Sequence, residues 1–153
     1  MVLPTKFATG LSGTDDDFAN APGLRTGAVR IVDADATIAG TELADVIWGL
    51  FPVNEGAVIS AGSIISCTDI DTATGTSLDV GIAYEDTTQG TDALDCFVDG
   101  STITQGGGTK FFDDIDGLAV VATGRGYVTA QIKGAAANTA GTFRVRALVG
   151  YSS

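Results

Sequence analysis

The side chains in this chain that could do chemistry are almost all carboxylates. Asp69-Ile70-Asp71-Thr72-Ala73-Thr74-Gly75 spaces two acids around one residue ahead of a glycine, as a calcium loop begins. Counted from Asp69, it lacks an oxygen ligand at the fifth position, a glycine at the sixth and the closing glutamate, so the EF-hand pattern fails and turn chemistry is expected. Asp113-Asp114-Ile115-Asp116-Gly117 reads as a solvated acidic turn in the same way. Gly106-Gly107-Gly108-Thr109-Lys110 has the ingredients of a phosphate loop without the GxxxxGK[ST] order between a strand and a helix, and is expected to be a loop tip. Two suitably separated acids suffice for glycoside hydrolysis. With 16 Asp and 3 Glu, however, such pairs are unavoidable, and one Trp and three Tyr are few for a sugar platform. The expectation is a protein that is not an enzyme and carries no metal or cofactor.

Histidine is absent, which removes Ser-His-Asp and Cys-His nucleophile systems, imidazole zinc sites and imidazole pH switches. Cys67 and Cys96 are too few for a disulfide framework or a four-thiolate metal site, and are read as small buried hydrophobes. Eight Lys+Arg against 19 Asp+Glu give a net charge of −11, the opposite of a nucleic-acid footprint. The N-terminus has no basic stretch leading into an apolar run, and the longest apolar runs fall far short of the ~20 residues of a membrane span. Neither nucleic acid nor membrane is expected as a partner, and synthesis in the cytoplasm would keep both thiols reduced.

The elements that must position these residues are strands. Asp and Gly, which favour turns, far outnumber Glu, which favours helix interiors. Period-two alternation runs through Val29 and Ile31, through Val46, Trp48 and Leu50, and through Leu78, Val80, Ile82 and Tyr84. It returns in Val128, Ala130 and Ile132, and in Phe143, Val145, Ala147, Val149 and Tyr151. A further β-rich run, Val58 to Ile70, is interrupted by Gly62. Short strands separated by turn signals predict an all-β fold, an antiparallel β-sandwich or jelly roll, over residues 27–153. One short helix is expected within the long 85–117 connection, capped by Thr91 or Asp92, with Leu94, Phe97 and Val98 on one face and Gly100 ending it. Residues 1–26 lack either periodicity and read as an extended arm with Phe7, Leu11 and Phe18 as spaced apolar anchors. Fully stretched, 25 residues would reach roughly 80–90 Å.

Charge is distributed unevenly. Residues 65–117 carry 11 acids and one base, whereas residues 118–153 carry no acid and the four bases Arg125, Lys133, Arg144 and Arg146. Arg125 sits in a Gly-Arg-Gly turn, and Arg144 and Arg146 project from one face of the last strand. Their functional reading is an electrostatic contact between copies or with an acidic neighbour; their structural reading is solvation.

Three stretches resemble the small β-sandwich or jelly-roll structural proteins of tailed bacteriophages, of the head decoration (cement) type. They are Ser66-Cys67-Thr68-Asp69-Ile70-Asp71 with the following Thr76–Ile82 and Asp92–Asp95, then Gly126–Ile132, then Ala140–Val149. The resemblance spans about residues 27–151 and includes no catalytic motif. It implies a homotrimer on the capsid exterior, with the chain itself and the major capsid protein as partners. The arm lies outside the resemblance: its reach and spaced apolar anchors alone make Phe7, Leu11 and Phe18 the expected shell contacts, and the uneven charge makes Arg125, Arg144 and Arg146 the expected oligomer or docking contacts. The alternatives are a virion carbohydrate- or receptor-binding module, which requires an exposed Trp or Tyr, and a minor tail or neck component.

Overall fold

The computed structural model describes residues 4–11 and 29–151. Among the described residues ten strands follow one another: β1 (Lys6–Phe7), β2 (Arg30–Ile38), β3 (Ile47–Val53), β4 (Ala57–Ile59), β5 (Ile64–Cys67), β6 (Ser77–Tyr84), β7 (Ala93–Ser101), β8 (Gly108–Phe111), β9 (Gly126–Lys133) and β10 (Gly141–Tyr151). They form two sheets. Sheet I has the order β1-β3-β9-β6-β7, and sheet II the order β2-β10-β5-β8, with β4 also paired to β10 beyond the end of β5. All pairings are antiparallel except β1 with β3. The all-β sandwich expected from the alternation is the architecture observed.

The alternating apolar residues explain the core. Leu78, Val80 and Ile82 of β6 and Val128, Ala130 and Ile132 of β9 face Ile65 and Cys67 of β5 and Phe143, Val145, Ala147 and Val149 of β10. Trp48 meets Phe143 edge-to-face across the two sheets, with ring centroids 5.3 Å apart and an interplanar angle of 87°. In β3 the register slips between Gly49 and Phe51, and this bulge lets consecutive residues Leu50 and Phe51 both join the core.

The expected short helix is a strand. Ala93–Ser101 forms β7, and the helical turns nearby are 3-10 turns at Thr102–Gln105 and Gly117–Ala119. Leu94, Phe97 and Val98 have helical spacing, but two register shifts against β6 bury Cys96, Phe97 and Val98 in succession, and Phe97 stacks on Phe112 at 5.5 Å. Asp92, expected to cap a helix, accepts the Tyr84 N–H at 2.8 Å and so closes the β6–β7 connection. Gly81 is required where this connection crosses β6: a Cβ there would collide with the backbone of Ala93 and Leu94.

Residues 4–11 join the two sheets. The Thr5 and Ala8 N–H groups donate to Ile47 and Gly49 of β3 at 3.1 and 2.7 Å, and the Thr9 N–H donates to Asp35 of β2 at 2.7 Å. Lys6 pairs with the buried carboxylate of Glu42, which also accepts the Ala39 N–H. The described part of the arm is therefore a strand of sheet I and a clasp onto sheet II.

Candidate functional site

Every group singled out in the sequence except Phe18 has a place, and Gly108, Thr109 and Lys110, expected in a loop tip, instead belong to β8 and pair with β5. Asp71 is buried and accepts four N–H donors from its own chain: Ala73 (3.0 Å), Gly75 (2.6 Å), Thr76 (2.6 Å) and the Asn138 side-chain amide (2.9 Å). A carboxylate surrounded by N–H donors presents no free lone pair to a cation, so this residue organises a turn. Desolvation pushes the Asp71 carboxyl up, but the N–H groups of Thr76, Ala73 and Gly75 outweigh it and hold the group below the usual value. Asp113 pairs with Lys110, and Asp114 accepts the Asp116 N–H at 3.0 Å, both ordinary turn contacts. Cys67 and Cys96 are buried free thiols, and burial, with nearby carboxylates (Asp69; Asp95), pushes each up to about 12. Neither is a nucleophile in this state.

The arm anchors pack inward. Phe7 lies edge-to-face against Tyr127 at 5.3 Å, over Gly49, and Leu11 packs against the core. Both side chains are spent on their own domain. Phe18 lies outside the described residues.

The basic C-terminal zone is neutralised within the chain. Arg146 Nε donates to Asp33 Oδ1 at 2.7 Å and its Nη2 to Oδ2 at 3.1 Å, while Arg144 Nε donates to Asp35 Oδ1 at 2.8 Å. Arg125 lies 3.4 Å from Glu85, and Lys133 lies 2.9 Å from Asp45. The hydrogen bond from Arg146 holds the Asp33 carboxyl below the usual range, and the same contact raises Arg146.

Register explains the Arg–Asp ladder and shows what surrounds it. On the outward face of sheet II, Arg146 lies opposite Asp33 on one side and Ile64 on the other, and Ile64 lies opposite Phe111. The next outward row holds Asp35, Arg144, Ser66 and Thr109, with Ser66 and Thr109 hydroxyls 2.8 Å apart. In the other direction Ile31 lies opposite Leu148. Beyond it Val58 lies opposite Gly150 and bridges to Val121, and Val29 sits beside Gly150. Asp33, Asp35, Ile64, Ser66, Arg144 and Arg146 line a shallow depression of about 490 Å³.

This face is thus half polar and half apolar. Val29 and Ile31 are about two-thirds exposed, which inverts the simplest expectation for that segment: β2 turns Val32, Ala34, Ala36 and Ile38 toward the core instead. Sequence reasoning found Arg144 and Arg146 but missed Asp33 and Asp35, which lie more than a hundred residues away along the chain. Acids alternating with small apolar residues in Asp33-Ala34-Asp35-Ala36 were the available signal.

Together these features define a β-sandwich with one mixed polar and apolar surface. No family model matches the chain, and no curated protein matches it. Among solved structures, a chain in "Capsid of Ralstonia phage GP4" is similar at a TM-score of 0.61 and 20% identity, over 84% of this chain and 88% of that one. A chain in "Cyanophage Pam1 capsid asymmetric unit" is similar at a TM-score of 0.60 and 21% identity, over 82% of this chain and 85% of that one. At these identities the shared property is the fold.

Proposed function

We propose that the chain is a structural protein of a bacteriophage virion, a decoration (cement) protein that binds the outer surface of the assembled head as a homotrimer. The observation that carries this reading is the sandwich fold shared, over more than four-fifths of the chain, with chains from two phage capsid structures. The absence of histidine and the commitment of Asp71 and both thiols to structural roles agree with a protein that acts by binding. A cement protein stabilises a shell by linkage, binding the assembled lattice more tightly than its free parts, and symmetric copies multiply a weak contact by avidity. Negative charge keeps crowded copies soluble.

In this reading Arg144 and Arg146 belong to the contact surface, Arg125 lies outside the ladder, and shell contact by the arm passes to Phe18 because Phe7 and Leu11 are occupied. The alternative of a carbohydrate- or receptor-binding module is disfavoured by the burial of Trp48, Tyr84 and Tyr127. The test is the copy number of this chain in purified virions, by quantitative mass spectrometry against the major capsid protein. A ratio near one is expected. A few copies per particle would move the chain to the tail or neck, and absence would end the virion reading.

A further inference from the structure

An antiparallel sheet with one solvated face normally alternates apolar-in and polar-out. The polar half of sheet II obeys this rule, and the other half breaks it on neighbouring strands at once. Val29, Ile31, Phe111 and Val121 are four of the seven large hydrophobic residues exposed among the described residues, and half-buried Leu148 and Ile64 connect them. Isolated exposed hydrophobics are ordinary, whereas a contiguous patch rimmed by polar groups marks an interaction surface.

Electrostatics favours a second copy of this chain as the occupant. At net −11, two copies of the chain repel least when they approach through a surface that carries no net charge. On this face the only ion pairs described are Asp33–Arg146 and Asp35–Arg144, which cancel. A basic partner would be drawn to the acid-rich 65–117 segment instead. The face is also built from paired strands, the kind of surface that packs sheet on sheet at about 10 Å.

We propose that the apolar half of the outer face of sheet II is the contact through which a second copy of this chain docks, with the Asp33–Arg146 and Asp35–Arg144 ladder as its polar rim. The proposal rests on the self-association part of the reading above and assigns it a surface.

The test is the mass of the full-length protein in solution across a concentration series, by light scattering and sedimentation, for the natural chain, Ile31→Lys, Phe111→Lys and the control Leu43→Lys. All three side chains are more than half exposed, so the variants should fold, which circular dichroism and thermal melts check. The natural chain and Leu43→Lys are expected to assemble, and Ile31→Lys and Phe111→Lys to weaken assembly about tenfold or more each. An oligomer of unchanged affinity in both variants would overturn the assigned surface and leave the trimer intact. A natural chain that stays monomeric throughout would overturn both. Variants that assemble normally but no longer bind purified heads would assign the face to the shell and overturn the proposal.

Discussion

Arg146 and Asp33 face each other across β10 and β2, with two nitrogen–oxygen contacts of 2.7 and 3.1 Å between a guanidinium and a carboxylate separated by 113 positions. Arg144 and Asp35 pair in the same way two residues further on, through a single contact of 2.8 Å. A segment that carries four bases and no acid therefore contributes no net positive charge to this face.

The ladder makes a prediction about assembly. Arg144→Ser with Arg146→Ser leaves Asp33 and Asp35 uncompensated, so the face becomes negative and self-association should weaken. The charge-swapped pair Asp33→Arg with Arg146→Asp, made in the natural chain, keeps the face neutral and should leave self-association intact. Because these side chains are exposed in the monomer, its melting temperature should barely change. Sedimentation beside thermal melts separates the two effects, and a large loss of monomer stability would contradict this account.

Asp71 predicts an acid limit. Its carboxyl is held below the ordinary value of 3.8 in the folded chain. A depressed folded pKa contributes stability that is present above the unfolded value and lost as pH falls through the folded one. Stability should therefore decline below about pH 4. Asp71→Asn, which turns an amide donor toward donors, should lower the melting temperature at pH 7 by several degrees and flatten this acid decline. Melts between pH 2 and pH 7 measure both.

Asp79 behaves in the opposite sense. Burial raises its pKa despite the Gly100 N–H it accepts at 2.8 Å, with Asp99 and Asp95 adding to the rise and Lys133 opposing it. A raised folded pKa means that stability falls as pH rises through the interval between the unfolded and folded values, and the cost persists at neutral pH. Asp79→Asn keeps an oxygen for Gly100 and removes the charge, so it should raise the melting temperature at pH 7 and have no benefit at pH 3. A lower melting temperature at pH 7 would show that the carboxylate's hydrogen bond outweighs its desolvation.

The clasp of residues 4–11 depends on Gly49, where a Cβ would approach Phe7 Cδ1 to 2.8 Å. Gly49→Ala should push the Phe7 ring off Tyr127 and cost about 1–3 kcal/mol. Phe7→Ala should produce a loss of similar size, and the double variant should fall well short of the sum, because both remove the same contact. Urea unfolding of the three variants provides the comparison, and additive losses would mean that Gly49 matters for another reason.

In the core, Phe143→Ala should cost about 3–5 kcal/mol, since it opens a cavity beside Trp48 at the centre of the sandwich.

Much of this protein is legible in the order of its residues. Period-two alternation in Leu78–Tyr84, Val128–Ile132 and Phe143–Tyr151 already implies strands with one face in the core, and in the last it places Arg144 and Arg146 on the other; that the second face of β6 and β9 is buried as well was decided by the tertiary structure. The physical reason is local: side chains of a strand alternate sides whatever the strand pairs with. Alternation does not say which side faces inward when both are apolar. In residues 29–38 Val29 and Ile31 form one set and Val32, Ala34, Ala36 and Ile38 the other, and only packing of β2 against sheet I buries the second. Nor does it foresee register shifts. Those against β6 turn the helical spacing of Leu94, Phe97 and Val98 into a bulged strand. The pairing of Asp33 with Arg146, and the apolar rows beside it, arise from a register between distant strands, and tertiary structure alone set them, because a contact more than a hundred residues apart leaves no local periodicity to read.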